Sequence, residues 1–284
     1  MAQRPSICIF GAPNSGKTSA MKSLAHSSEA AKRVLYINAD NKALPWFGSN
    51  DFTRYTLQCP TQLPSVIEQA GKAVGKDGKP KFDTIIVDTI TRVMDTYASK
   101  YIGSKEPKYV YSDDGNLVTD MNYIAVTKAG TIDGMSAWGR SAALFKDIME
   151  AGDKANCQMI YISHMTLTQR PDGSFIYEAP LQGTVGKVGL TAWFSIAMVA
   201  KAVPVDQLVA EPDTYMLTKV ESRKNTGHRF VFQIEKTSET QDYPIRAIDG
   251  MYPSSMHYID NDMSNLLKHL DNLYAGNDTG LPQD

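Results

Sequence analysis

The chain has 284 residues, of which 42% are hydrophobic and 21% charged, as in an ordinary soluble globular protein. Its 29 Lys and Arg against 31 Asp and Glu give a net charge of −2, which excludes a globally basic nucleic-acid-binding protein and leaves only a local polyanion site. Three widely spaced cysteines argue against a disulfide framework and against a zinc site. No apolar run is long enough for a membrane helix, so we expect a cytoplasmic protein with no membrane partner.

Strand and helix patterns alternate through the first part of the chain. Short apolar runs predict strands, and apolar residues at helical spacing predict helices. In chain order we predict a strand at 6–10, a helix at 17–26, strands at 33–39 and 52–57, a helix at 63–74, a strand at 82–87, a helix at 137–151 and a strand at 158–163. Such alternation, with strands that are apolar on both faces, indicates a mostly parallel α/β sheet flanked by helices.

The later part of the chain is richer in strand patterns. We predict a hairpin at 167–180, strands at 194–200, 214–220 and 229–234, and an amphipathic helix at 263–274. Because the last strands follow one another without helices, we expect them to extend the sheet in antiparallel orientation. We divide the chain into a core at 1–240, with a polar insertion or mobile loop at 103–136, and a C-terminal extension at 241–284 with one helix and a frayed tail.

A phosphate-binding motif spans residues 11–18, which match G-x-x-x-x-G-K-[ST] between a predicted strand and a predicted helix. Backbone N–H groups of such a loop, and the N-terminus of the next helix, attract phosphate. We expect Lys17 to reach the β- and γ-phosphates and the Thr18 hydroxyl to ligate Mg²⁺. The predicted nucleotide-binding residues are Gly11, Pro13, Asn14, Ser15, Gly16, Lys17, Thr18 and Ser19.

A carboxylate for the metal follows the apolar run at 82–87. Asp88 ends this run, whereas Asp83 lies at its start, the wrong end for a ligand site. We therefore predict that Asp88 holds Mg²⁺, in a strand next to the phosphate-loop strand; the alternative is that Asp88 caps the next helix. Residue 89 is Thr, at a position where many such ATPases carry a water-activating Glu.

Two further polar residues end predicted strands. Asp40 directly follows the predicted strand at 33–39, one strand over. It is the predicted base for an attacking water, with a turn aspartate as the alternative. His164 ends the strand at 158–163 and is predicted to contact the γ-phosphate, with Ser163 as the second candidate and an ordinary surface histidine as the alternative.

Together these motifs resemble the RecA-type ATPase core rather than the AAA+ or ABC types. More narrowly, the chain resembles the phage single-strand-annealing ATPases of the Sak type over about residues 5–235, through residues 137–140, 162–164, 181–187 and 219–224. The resemblance implies a RecA-like P-loop NTPase that uses ATP and Mg²⁺. It also implies a homo-oligomer with ATP at the subunit interfaces, in the host cytoplasm if a phage encodes it.

The resemblance further implies roles for basic and aromatic residues. Arg223 would reach the γ-phosphate of a neighbouring subunit as an arginine finger, with Lys224 beside it and Lys219 as a weaker candidate; a solvated basic turn is the alternative. Single-stranded DNA would bind the loops at 103–136 and 165–186. The candidate DNA-contacting residues are Lys105, Lys108, Arg140, Arg170 and Lys187 for phosphates, and Tyr109, Tyr111 and Tyr177 for bases.

The function that this resemblance implies is ATP hydrolysis, stimulated by single-stranded DNA, in phage-type recombination or annealing. Two alternatives stay open: a helicase-loader-like or partner-switch ATPase, and a P-loop nucleotide or small-molecule kinase. A kinase usually has an arginine-rich lid, and residues 101–136 contain no arginine, which argues against a lid there.

Overall fold

The computed structural model describes residues 4–44, 52–99, 109–111, 117–119, 134–170, 172–181, 183–218 and 227–281. The strands are β1 (Ile7–Gly11), β2 (Val34–Asn38), β3 (Thr53–Thr56), β4 (Thr84–Asp88), β5 (Tyr109–Tyr111), β6 (Leu117–Thr119), β7 (Gln158–His164), β8 (Thr166–Gln169), β9 (Phe175–Glu178), β10 (Ile196–Pro204), β11 (His228–Gln233) and β12 (Tyr258–Asp260). The α-helices are α1 (Ser28–Lys32), α2 (Leu63–Lys72), α3 (Ile90–Tyr97), α4 (Gly134–Lys154), α5 (Gly183–Val188), α6 (Val205–Val209) and α7 (Met263–Tyr274). Short 3₁₀ helices lie at Ser19–Ala25, Pro60–Gln62 and Leu190–Trp193. Within the described ranges, no helix has the length and apolar character needed to cross a bilayer.

The main sheet has the order β12-β11-β10-β1-β7-β4-β2-β3. From β10 to β3 all neighbours are parallel, whereas β11 and β12 pair antiparallel at the other side. The predicted mostly parallel sheet with antiparallel C-terminal strands is therefore confirmed. The carboxyl ends of β1, β2, β4 and β7 lie at the same edge of this sheet, which is where α/β proteins place ligands.

One prediction of strand order is wrong, because β4 is not the neighbour of β1. Strand β7 lies between them, with Ile9 of β1 opposite Ile162 and Val87 of β4 opposite Tyr161. All residues of β7 except the last are buried. This strand therefore pairs with both β1 and β4 in the centre of the sheet. Strand order is set by the crossover through α3 and α4, which the residues of β4 themselves do not encode.

Two layers of apolar side chains cover the sheet. Ile85 and Val87 of β4 pack with α2, α3 and α4 on one face, and Ile86 packs on the opposite face. That second face is covered by the 3₁₀ helix at Ser19–Ala25 and by α7. Successive side chains of a strand point to opposite faces of the sheet, so both faces are apolar. The helices α2, α3 and α4 cover one face, and the segment after the phosphate loop covers the other together with α7.

Two local predictions need correction. The helix expected at 17–26 is the 3₁₀ helix Ser19–Ala25 rather than an α-helix. The strand expected at 214–220 is absent from its described part, where the N–H of Leu217 bonds the carbonyl oxygen of Thr214 at 3.0 Å in a turn; residues 219 and 220 lie outside the described residues. Its apolar pattern reflects the packing of Met216 and Leu217 against the core.

Among the described residues, two small sheets lie outside the main one. Strands β5 and β6 pair antiparallel within the segment 103–136, most of which lies outside the described residues. Strands β8 and β9 form the predicted hairpin directly after β7.

Candidate nucleotide-binding site

The phosphate loop runs from the end of β1 to the 3₁₀ helix, and its shape depends on two glycines. Gly16 has φ +90°, and a Cβ there would lie 2.5 Å from Asn261 Nδ2 and 3.0 Å from Phe230 Cδ1. A Cβ on Gly11 would lie 2.4 Å from Ser15 Oγ. Since both positions lack room and Gly16 also needs a left-handed backbone, only glycine fits them.

Lys17 is folded onto the loop that precedes it. Its Nζ donates to the carbonyl oxygens of Gly11 at 2.8 Å and Ala12 at 2.7 Å. The side chain is buried, and this burial lowers the pKa of Lys17 to about 8, against the opposing effect of Asp88. Oxygens of a bound phosphate can replace the loop carbonyls as partners of this ammonium group.

Thr18, Asp88 and Tyr36 form the polar centre of the site. Thr18 Oγ1 donates to Asp88 Oδ2 at 2.7 Å, and the hydroxyl of Tyr36 donates to the same oxygen. Asp88 is 5% exposed, so burial raises the pKa of its carboxyl while the two hydrogen bonds act in the opposite direction. A hydroxyl and a carboxylate are the hard oxygen ligands that Mg²⁺ prefers, so these residues fit the predicted metal.

Asp88 does not cap the helix that follows it, α3. The residue that caps α3 is Thr89, whose side-chain oxygen accepts from the backbone N–H of Arg92 at 3.1 Å. Asp88 instead faces the phosphate loop through Thr18. Sequence reasoning missed Tyr36, because a tyrosine in an apolar strand is an ordinary core residue. Only the pairing of β2 with β4, which puts Tyr36 opposite Ile86, brings its hydroxyl to Asp88.

A chain of hydrogen bonds links the ends of β2, β4 and β7. Asp40 Oδ1 accepts from Thr89 Oγ1 at 3.1 Å, and Asp40 Oδ2 pairs with Lys42 Nζ at 3.0 Å. Thr91 Oγ1 donates to Thr89 Oγ1 at 3.2 Å and accepts from the backbone N–H of His164 at 3.1 Å. Asp40, the predicted base, and His164, the predicted γ-phosphate contact, therefore belong to one network although they are far apart in sequence.

His164 has an unused ring nitrogen. Its Nδ1 is buried and has no hydrogen-bond partner in the part of the chain that the structure describes. Burial and then the charge of Lys17 lower the pKa of this imidazole, which favours its neutral form. Ser163, the second candidate, is fully buried, and its hydroxyl donates to the carbonyl oxygen of His164.

These residues surround a cavity of about 380 Å³. The predicted residues Pro13 to Ser19 line it, together with Asp40, Asp88 and His164, while Gly11 lies beneath Lys17. Tyr36 and Phe230 also line the cavity. Phe230 carries no recognisable sequence signal, because it is one of several apolar residues in β11.

Only some of the residues predicted to act between subunits or on DNA lie among the described residues. Tyr177 is described, and its ring packs edge-on against Tyr243 with centroids 4.9 Å apart. Arg170 is exposed in the β8–β9 hairpin, and Arg140 lies in α4. Outside the described residues, or with side chains outside them, lie Lys105, Lys108, Tyr109, Tyr111, Lys187, Lys219, Arg223 and Lys224.

Comparisons with known proteins bear on this site. A family model described as an AAA domain matches residues 3–240. Among solved structures, the RadB recombinase is 12% identical, with 71% of this chain and 77% of that chain covered, at a TM-score of 0.36. No curated protein matches the chain. All residues that line the cavity fall inside the span of the family match, whereas Asn261 lies beyond it.

Proposed function

Because this chain belongs to the AAA domain family, a family of P-loop ATPases with the RecA-like fold class seen here, we propose that it binds ATP with Mg²⁺ at the phosphate loop and hydrolyses it. The observation that carries the proposal is the 2.7 Å hydrogen bond between Thr18 Oγ1 and Asp88 Oδ2, beside the buried ammonium of Lys17. These are the groups that P-loop enzymes place on the metal and on the phosphates.

Each residue has a distinct role in this proposal. Lys17 and the backbone amides of the loop bind the β- and γ-phosphates, and Thr18 with Asp88 would hold Mg²⁺. When bound, Mg²⁺ neutralises charge on the transferred phosphoryl group. Tyr36 positions Asp88 through its hydroxyl.

Asp40 and His164 act on the γ-phosphate side of the cavity. Asp40 orients or deprotonates the attacking water, while Thr89 fixes the carboxylate by donating to it. His164 lines the cavity, and in this proposal its side chain contacts the γ-phosphate. The hairpin β8–β9 begins two residues after His164. Release of the γ-phosphate from His164 would therefore change the position of the hairpin.

We extend the proposal to single-stranded DNA, in recombination or annealing of the phage type. Supporting it, Leu167 and Phe175 lie on the same face of the β8–β9 hairpin and are both exposed, and Arg170 is exposed at the turn. Aromatic and basic side chains on one surface suit stacked bases and phosphates. The homo-oligomer with ATP between subunits and Arg223 acting in trans rests on the resemblance given above.

The test is phosphate release from Mg·ATP with and without single-stranded DNA, alongside size-exclusion chromatography. We expect the wild type to hydrolyse ATP faster with DNA, and Lys17→Ala to lose turnover by about 100-fold or more while remaining folded. Exposed Lys22→Ala serves as the control for removing a lysine near the loop. Wild-type turnover in Lys17→Ala would remove the phosphate loop from the mechanism. A rate of ATP hydrolysis that is the same with and without DNA would favour the loader-like or partner-switch ATPase.

One observation favours a second function, phosphoryl transfer to a small acceptor. A cavity of about 450 Å³ shares Asp40 and His164 with the nucleotide cavity and is lined further by Thr91, Arg92 and Pro180. An acceptor hydroxyl in this space would lie beside the predicted base. Phosphate release in the absence of any acceptor separates the ATPase from such a kinase, because a kinase depends on the acceptor for turnover.

A further inference from the structure

Phe230 of β11 has an exposed ring, whereas another phenylalanine of the same strand packs in the core. Phe232 lies two residues later on the same face of β11 and is fully buried. Phe230 is 48% exposed. Isolated exposed apolar residues are common, so the position of Phe230 matters more than its exposure.

That position is the wall of the nucleotide cavity. Phe230 Cδ1 would lie 3.0 Å from a Cβ on Gly16, the second glycine of the phosphate loop, so its ring stands directly beside the loop. β11 begins opposite the carboxyl end of β10, which places Phe230 at the same sheet edge as the loop. The ring is therefore within reach of the part of a nucleotide that continues from its phosphates.

The C-terminal extension supports the loop at the same point. Asn261 Nδ2 donates to the carbonyl oxygen of Gly16 at 3.2 Å, and the N–H of Ser264 donates to Ser23 Oγ at 3.0 Å. Both contacts come from residues beyond the span of the family match. Phe230 Cδ1 and the Asn261 amide nitrogen thus both lie within 3.0 Å of the point that a Cβ on Gly16 would occupy.

The other polar residues of the cavity lining include the predicted phosphate and metal ligands. Lys17, Asp88 and His164 are charged or polar, and the other aromatic residue of the lining, Tyr36, is buried with its hydroxyl on Asp88. Phe230 is therefore the lining residue that offers an exposed aromatic surface in the described part of the chain. An aromatic base is the part of a nucleoside triphosphate that matches such a surface.

We infer that Phe230 is the platform for the nucleobase, that Asn261 positions the loop beneath it, and that the preferred substrates are purine nucleoside triphosphates. This inference rests on the proposed function, because it assumes that triphosphates occupy the phosphate loop. A flat ring without polar groups contacts a base through its stacking surface alone. Purines have a larger stacking surface than pyrimidines, so stacking on Phe230 should increase the affinity for purine nucleotides more.

The experiment measures binding of ATP, CTP and inorganic tripolyphosphate, which has no base, to the full chain with Mg²⁺. Phe230→Ala is expected to weaken ATP binding roughly 5- to 150-fold, to reduce the preference for ATP over CTP, and to leave tripolyphosphate binding unchanged. Phe230→Trp is expected to restore ATP binding. Tyr274→Ala, which removes another exposed aromatic side chain at the end of α7, is the control and should bind like the wild type.

Equal weakening of ATP and tripolyphosphate in Phe230→Ala would overturn the inference, because the ring would then only support the loop. Unchanged ATP binding in that variant would also overturn it, while leaving the ATPase proposal intact. A wild type that binds neither ATP nor tripolyphosphate would contradict the proposed function itself, and the inference with it.

Discussion

Tyr36 shows how one buried hydroxyl can set the properties of a metal-binding carboxylate. Asp88 must be ionised to hold Mg²⁺, yet burial raises the pKa of its carboxyl. The hydroxyls of Tyr36 and Thr18 both donate to Asp88 Oδ2 and lower that pKa. The two hydrogen bonds thus favour the ionised form of Asp88 and oppose the larger effect of burial on its pKa.

Removing the Tyr36 hydroxyl should therefore weaken metal binding. In Tyr36→Phe, Asp88 loses one of its two donors, so its pKa rises further and protons compete better with Mg²⁺. A hydrogen bond to a charged group contributes about 1.5–3 kcal/mol, so we expect the Mg²⁺ concentration for half-maximal ATP binding to rise about tenfold or more. The effect should grow as pH falls, because protonation of Asp88 increases in that direction. Mg²⁺ titrations of ATP binding at several pH values measure this, and an identical Mg²⁺ dependence in both proteins would exclude this role for Tyr36.

At the scale of elements, the start of α3 connects structure and chemistry. Thr89 caps the helix by accepting from the N–H of Arg92, and the same hydroxyl donates to Asp40. One side chain therefore both begins a helix and fixes the predicted catalytic base.

Thr89→Ala should lower both stability and turnover. Loss of the cap costs about 1 kcal/mol of the free energy of unfolding, which urea denaturation measures. Loss of the donor to Asp40 should also lower the rate of ATP hydrolysis. Thr89→Ser keeps the hydroxyl and is the matched control, expected to resemble the wild type in both measurements. If Thr89→Ala and Thr89→Ser behave alike, the hydroxyl has neither role.

Several elements could be predicted from local residues alone. The pattern of the phosphate loop predicts its position between β1 and a helical segment, and leucines at helical spacing predict α7 with its observed bounds. The apolar pattern at 214–220 predicts a strand, whereas the described residues 214–218 contain a turn, because burial of Met216 and Leu217 gives a turn the same apolar composition as a strand. Local composition reports burial more directly than it reports backbone conformation.

At the scale of the whole molecule, the site is a product of strand order. Gly11, Asp40, Asp88 and His164 come from the ends of four strands that share one sheet edge. Their convergence could be predicted, because parallel strands in such proteins end together. The insertion of β7 between β1 and β4, and the contributions of Tyr36, Phe230 and Asn261, could not be predicted, because each depends on register or on contacts between distant segments.

The central claim is that the carboxylate of Asp88, beside Thr18 and Lys17, completes a site for hydrolysis of Mg·ATP. The most direct measurement is steady-state phosphate release from saturating Mg·ATP by the wild type and by Asp88→Asn, which keeps the shape of the side chain but removes its charge. We expect Asp88→Asn to lose about 100-fold or more of the rate while keeping its unfolding temperature. Hydrolysis by folded Asp88→Asn at the wild-type rate would contradict the account.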